Sequence, residues 1–234
     1  MFNKKNILIT GNTSGIGLEL NKLLFKKNNL YCLSKSKSVI QNKLNLKVNF
    51  KNLKNLEKKL NSAKFPKQLD YLILNAGILG KINLVNNLSI ADFNEILKIN
   101  FLSNKILIDF FLKKKIKILN IIAISSGAAQ SAKDGWGLYC CSKAAFLQLM
   151  NTYSLENNKI KFINCAPGLA KTKMQDQIYL VKNKKINSVK KFQKLYKENN
   201  IQSPKEIAEQ IIKFMTNIKL FKSGSFIDLR HLSK

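Results

Sequence analysis

Histidine, arginine and acidic residues are scarce in this chain. Its 234 residues hold one histidine, His231, one arginine, Arg230, and 13 Asp+Glu against 41 Lys+Arg. A lone histidine beside the C-terminus excludes a histidine-based nucleophilic triad. The 4 cysteines, Cys32, Cys140, Cys141 and Cys165, show no CxxC spacing, so no metal site is expected and the thiols read as buried and reduced. Proline is limited to 3 residues, and no Pro/Gly/Ser-rich linker or shift of composition divides the chain, which reads as a single domain over residues 1–234. Long apolar runs are missing as well. The apolar stretch at residues 7–10 is too short for a secretory signal and no uncharged run reaches membrane-spanning length, so a cytoplasmic protein with no membrane partner is expected.

Lysine, by contrast, is abundant, and the formal net charge is +28. A field of that size raises the question of a polyanionic partner. The lysines are scattered among many Asn, Ile and Phe, as codon bias in an AT-rich genome produces. The densest basic stretch, residues 182–197, alternates Lys with Asn, Ile, Val and Phe like an amphipathic helix, without the arginine forks of a nucleic-acid surface. No nucleic-acid partner is expected, and a polyanion-binding basic protein is the alternative that rests on charge alone. Hydrophobic residues at 45% supply enough apolar surface for a sizeable core.

Short apolar runs bounded by turn residues alternate with longer amphipathic stretches, the pattern of strands and crossover helices in a parallel sheet. Strands are expected at residues 6–10, 30–34, 44–48, 71–74, 116–124, 160–165 and 225–229. Helices are expected from the first glycine cluster to about residue 27, and over 53–62, 91–112 and 137–155. The roughly ten residues between the second and third strands are too few for a crossover helix and read as a loop. Ser89 with Asp92, and Ser203 with Pro204 and Glu206, carry the signatures of helix starts.

The first strand leads into Thr10-Gly11-Asn12-Thr13-Ser14-Gly15-Ile16-Gly17 and then an amphipathic stretch. Glycines at these points permit a tight turn, close approach of backbone to a pyrophosphate and close packing of helix on strand. Tyr139 and Lys143, four apart on one helical face, form a second element, in which an ammonium near a phenol lowers the phenol's pKa. With 6 tyrosines in so lysine-rich a chain, about one such pair arises by chance. Tyr31 and Lys35 form another, across a strand where they cannot share a face. Tyr139 is distinguished by its company. Ser126 lies thirteen residues upstream at the end of a strong strand, Asn75-Ala76-Gly77 follows the fourth strand, and Asn100 sits in a helical stretch.

Taken together these motifs resemble the classical short-chain dehydrogenase/reductase family, over nearly the whole chain. The resemblance implies a three-layer, doubly wound α/β (Rossmann) fold with a parallel sheet of about seven strands. It implies a pyrophosphate on the loop that includes Gly11, Thr13, Ser14, Gly15, Ile16 and Gly17, and a turn at Asn75, Ala76 and Gly77 that supports the adenine side and the central strand. It places the family's catalytic tetrad on Asn100, Ser126, Tyr139 and Lys143. Pro167 and Gly168 would border the nicotinamide, with Thr172 at its carboxamide. Tyr139 would exchange a proton with the substrate oxygen, Ser126 would hold that oxygen, Lys143 would also bind ribose, and Asn100 would support a water leading to solvent.

The resemblance further implies an oxidoreductase acting on a small carbonyl or alcohol substrate with NADP or NAD, assembled as a homodimer or homotetramer. Where an NAD enzyme carries an acid after the second strand, this chain has Ser34 and Lys35, a pattern that favours NADP. Asn49 stands where the family commonly has an adenine-contacting Asp. Residues 169–202 would form a substrate lid of one or two helices, with Trp136 and Leu169 as substrate walls. A non-catalytic dinucleotide-binding regulator is the same-fold alternative, and the intact tetrad speaks against it.

Overall fold

The structure is a computed structural model and describes residues 2–183, 185–198 and 201–232; residues 184, 199 and 200 of the expected lid lie outside the described residues. In chain order the elements are β1 (Asn6–Thr10), α1 (Gly15–Leu24), β2 (Asn29–Ser34), β3 (Leu44–Lys47), α2 (Leu53–Ser62), β4 (Gln68–Leu74), α3 (Ile90–Leu97), α4 (Ser103–Lys113), β5 (Lys117–Ile124), α5 (Gly137–Glu156), β6 (Lys161–Ala166), α6 (Lys173–Tyr179), α7 (Asn187–Lys197), α8 (Pro204–Thr216) and β7 (Phe226–Asp228). The strands pair in the order β3-β2-β1-β4-β5-β6-β7, all parallel, as the doubly wound reading requires. Connections leave β1 in opposite directions, toward β2 and toward β4, so a crevice opens between the carboxyl ends of β1 and β4.

Alternation along each buried strand builds two cores on opposite faces of the sheet. Ile7 and Ile9 of β1, Ile73 of β4, Ile122 of β5 and Ile163 of β6 point to one face and pack with Leu20 of α1 and Ile207 and Ile211 of α8. Their neighbours Leu8, Leu72, Ile121 and Phe162 point to the other, against Leu56 of α2, Leu107 and Phe111 of α4 and Phe146 and Met150 of α5. These are the three layers.

Both helix-start signatures appear as expected: Ser89 and Ser203 each form a capping box, with Asp92 and Glu206 respectively. The loop between β2 and β3 holds no helix. Three expectations need correction. β4 begins three residues early, because Asp70 is fixed in the sheet by the Asn6 N–H (2.9 Å) and the Lys5 ammonium (3.2 Å). The first helix stops at Leu24, where Asn28 Nδ2 caps the Leu24 carbonyl at 3.0 Å. The expected single helix over 91–112 is broken into α3 and α4 by a π-helical turn, Lys98–Leu102, with Asn100 at its middle. No helix among the described residues is long and apolar enough to cross a membrane.

Phe111 is fully buried between α4 and the sheet, edge-on to Phe65 and Phe110 with ring centroids 5.0 and 5.1 Å away. Phe111→Ala is expected to cost about 3–5 kcal/mol, read as a lower urea midpoint at unchanged m-value.

Candidate active site

A cavity of about 1200 Å³ occupies the crevice at the carboxyl ends of the strands. One side is the turn between β1 and α1. Gly11 (φ +72°) and Gly15 (φ +53°) adopt left-handed backbone there. A Cβ on Gly17 would lie 2.2 Å from the Gly11 carbonyl oxygen and 2.5 Å from Asn75 Nδ2, so only hydrogen lets α1 seat this closely. Gly17 itself does not line the cavity, whereas Gly11, Thr13, Ser14, Gly15 and Ile16 do. Ser14, at the N-cap, makes no side-chain cap bond. The first-turn amides of α1 therefore lack intrahelical partners at the positive end of a helix, a donor set that fits a pyrophosphate. Thr172, the N-cap of α6, faces this loop, its Cγ2 3.2 Å from where a Cβ on Gly15 would stand.

The Asn75-Ala76-Gly77 turn braces that loop. Thr10 Oγ1 accepts the N–H groups of Asn75 (3.0 Å) and Ala76 (2.9 Å), and Asn75 Nδ2 donates to the carbonyls of Thr10 (3.0 Å) and Gly11 (3.1 Å). The turn was expected to support the adenine side and the central strand; its Asn75 amide braces the end of the central strand, β1, and the glycine loop, and all three residues line the cavity.

Opposite the loop stand Ser126, Tyr139 and Lys143, all lining the cavity. Ser126 ends the β5 extension; its Oγ accepts the Ala128 N–H at 3.2 Å and lies beside the Tyr139 phenol, whose pKa it lowers. Lys143 Nζ donates to the Ile124 carbonyl at 2.8 Å and sits 5.7 Å from the Tyr139 ring centroid. Asn100 is buried behind them. Its Oδ1 accepts the Ile78 N–H (2.8 Å), and its Nδ2 donates to the Ile78 carbonyl (2.8 Å) and to Ser142 Oγ (3.0 Å), which donates to the Tyr139 carbonyl at 2.9 Å. Asn100 thus ties the loop after β4 to α5 without lining the cavity.

Burial governs the titration of this group. It pushes the Tyr139 phenol up to about 12, partly offset by the neighbouring Ser126 hydroxyl, and pushes the Lys143 ammonium down to about 8. The phenol's net shift is upward, opposite to the lowering expected beside Lys143. Desolvation is the larger effect, and the ammonium's hydrogen bond goes to the Ile124 carbonyl.

The other expected residues divide. Lys35, Asn49, Pro167, Gly168, Leu169 and Trp136 line the cavity. Ser34 does not; it is buried and its Oγ donates to the Ser36 carbonyl at 2.8 Å. Tyr31 packs against the core from β2, so its pairing with Lys35 is dissolved as anticipated. Several wall residues were not singled out from sequence. Phe192 of α7 meets the Trp136 ring at 4.3 Å, and Arg230, paired with Asp228 (Nε to Oδ1 2.9 Å), lies over Gly168. Arg230 had one available signal: it is the only arginine in a chain whose other cations are lysine. Among the described residues no three His, Cys, Asp or Glu side chains gather as metal ligands.

The family model described as short chain dehydrogenase matches residues 5–183. The chain belongs to the short-chain dehydrogenase family. Among curated members of this family, the 3-oxoacyl-(acyl-carrier-protein) reductase of Rickettsia prowazekii is 33% identical over 184 residues, covering 74% of this chain and 76% of its own. The benzil reductase ((S)-benzoin forming) of Bacillus cereus is 31% identical over 179 residues, covering 74% of this chain and 70% of its own. The crystal structure of a short-chain dehydrogenase/reductase from Saccharomyces cerevisiae superposes with a TM-score of 0.83 at 26% identity, covering 96% of each chain. As these relatives are, the protein is an oxidoreductase of the family that acts on carbonyl and alcohol groups.

The brace at Thr10 is open to direct test. Thr10→Val keeps the shape and leaves two turn amides without an acceptor, at about 1–3 kcal/mol each. Thr10→Ser restores the hydroxyl, so thermal unfolding should place the serine variant near the parent and the valine variant well below it.

Proposed function

We propose that the protein reduces a small carbonyl compound with NADPH, with Tyr139 as the general acid. The observation that carries this reading is that the Tyr139 phenol, beside Ser126 and one helical turn from Lys143, opens on the same cavity as the glycine loop. Relatives named for reducing benzil and a 3-oxoacyl group support the direction.

The nicotinamide dinucleotide supplies the hydride when bound. The amides of residues 13–16 would hold its pyrophosphate, Lys143 a ribose and Thr172 the carboxamide, with Pro167 and Gly168 beside the ring. Asn49 and Lys35 stand at the adenosine end. The absence of an acid at Ser34 and the presence of Lys35 in the wall, with Lys37, Lys47 and Lys59 in the adjoining hollow, favour a 2′-phosphate over a free 2′-hydroxyl. Ser126 orients the substrate oxygen. Tyr139, protonated throughout the neutral range because its pKa is raised to about 12, is in the form a reduction needs. As it gives up its proton the developing phenolate is stabilised by the Lys143 cation. We assign the described parts of residues 169–202, α6 and α7, to a substrate lid, since Met174, Ile178, Phe192 and Leu195 from them enclose the cavity beside Trp136 and Leu169.

Three measurements test this. NADPH oxidation with a panel of carbonyl compounds should fall about 10²–10⁴-fold in Tyr139→Phe while NADPH still quenches or shifts in fluorescence on binding; an unaffected rate would end the reading. Lys35→Ala should weaken NADPH and spare NADH, and equal affinities for both before and after would remove the NADP preference. Lys143 carries its charge below about 8 and loses it above, so kcat for reduction should decline as pH rises through about 8.

A further inference from the structure

The cavity wall holds more positive charge than the proposed cofactor uses. Lys51 is paired with Glu95 at 3.0 Å, and Arg230 with Asp228. Lys35 stands at the adenosine end, Lys143 beside Tyr139, and Lys173 directly follows Thr172, which faces the glycine loop. Lys133 and Lys191 remain, and among the described residues neither is in an ion pair. Both stand at the substrate end, one on the body and one on the lid. Lys133 is half-buried in the loop before α5, and its Nζ donates to Ser131 Oγ at 2.8 Å. Ser131 in turn donates to the carbonyl of Gly127 (3.1 Å), the residue after Ser126. Its own carbonyl lies 4.0 Å from Cys140 Sγ, against the turn of α5 that carries Tyr139. On α7, Ser188, Lys191, Phe192 and Leu195 fall at the spacing of one helical face and all line the cavity, whereas Lys190, Lys194 and Lys197 do not.

The acid next to Lys133 in sequence is committed elsewhere. Both oxygens of Asp134 are taken at the start of α7, by the N–H groups of Asn187 (2.6 Å) and Ser188 (2.9 Å) and by the Ser188 hydroxyl. An ammonium carries three donors, and Ser131 takes one of those on Lys133. Two cations without a counter-charge, in a recess with low-dielectric walls, draw an anion into it. The surroundings are apolar: Trp136 and Phe192, with rings 4.3 Å apart, together with Ile178 and Leu195. Such a wall disfavours a sugar or a phosphorylated polyol, whose hydroxyls it leaves unpaired. We infer that the substrate is an oxo acid with an apolar body. Its carbonyl is reduced at Tyr139, its body lies along Phe192 and Ile178, and a carboxylate a few carbons away is received by Lys133, with Lys191 contributing from the lid. The inference rests on the carbonyl reduction proposed above and makes Lys133 a specificity-determining residue.

Lys133→Met keeps an apolar stem of similar length and removes the charge. With NADPH, kcat/KM is measured for β-benzoylpropionate and γ-benzoylbutyrate, each against its methyl ester, alongside the melting temperature of each variant. The native enzyme should favour at least one acid over its ester by about tenfold or more, and the preference should shrink as salt rises. Lys133→Met should lose about tenfold or more on that acid and stay within about twofold on the ester, with KM carrying most of the change, and Lys133→Arg should restore the preference. Lys191→Met should cost the acid less, because Lys191 is exposed. Equal losses on acid and ester mark Lys133 as structural and overturn the inference, as does a native enzyme indifferent to the acid group or a preference that survives Lys133→Met. In each of those cases the carbonyl reduction itself still stands; turnover of no carbonyl at all removes that reading and this one with it.

Discussion

The approach of α1 to the end of β1 is the constraint on which the site depends. Only a hydrogen on Gly17 tolerates the Gly11 carbonyl at this distance, and the same carbonyl accepts Asn75 Nδ2. That contact sets the axis of α1, and with it the place where unpaired amides meet the crevice. It also begins a run of hydrogen bonds through the interior. Thr10 holds the backbone of Asn75 and Ala76; two residues on, Ile78 is held at both its N–H and its carbonyl by Asn100; Asn100 reaches Ser142, and Ser142 the backbone of Tyr139. The glycine loop and the tyrosine, 128 positions apart in sequence between Gly11 and Tyr139, are registered by continuous polar contact and not by the sheet alone.

That registration explains the role Asn100 has in this fold. A side-chain amide that satisfies both backbone groups of a residue in a loop works as a surrogate strand partner, and it needs to enter the loop from the side. The π turn at Lys98–Leu102 supplies the entry: one extra residue in the turn rotates Asn100 out of the regular helical face, and Asn104 Nδ2 takes up the Asn100 carbonyl at 2.9 Å. Ser103 Oγ does the same for the Ile99 carbonyl at 2.7 Å. The bulge is stabilised by the two polar residues that follow it.

Legibility from sequence follows the range of the forces involved. β1, β5 and β6 were readable because burial on both faces demands unbroken apolar runs, and the starts of α3 and α8 because a capping box is complete within four residues. The glycine loop, Ser126, Tyr139 and Lys143 were readable because each carries local spacing. The π turn was not: the partner that makes it worthwhile, Ile78, lies 22 residues away, and Asn100 in a helical stretch offers no local sign of it. The early start of β4 escaped for the same reason, since Asp70 reads as a strand breaker until Lys5 and Asn6 are placed beside it. The titration of Tyr139 was misjudged because spacing reports a neighbouring charge and is silent about burial, and burial is the larger effect here.

The charge of the chain also acquires a local meaning at the cavity. Its wall carries Lys35, Lys51, Lys133, Lys143, Lys173, Lys191 and Arg230 against two acids, Glu95 and Asp228. Both acids are already engaged, Glu95 with Lys51 at 3.0 Å and Asp228 with Arg230. The uncompensated field in a recess with low-dielectric walls is therefore positive. A dinucleotide with two or three phosphates gains from that field whatever the origin of the lysines, so compositional bias and cofactor affinity need not be separate explanations. The stretch of wall formed by Trp136, Phe192 and Ile178 is different: it is apolar, and selectivity in such a recess comes from shape and from a hydrogen bond's geometry more than from net charge.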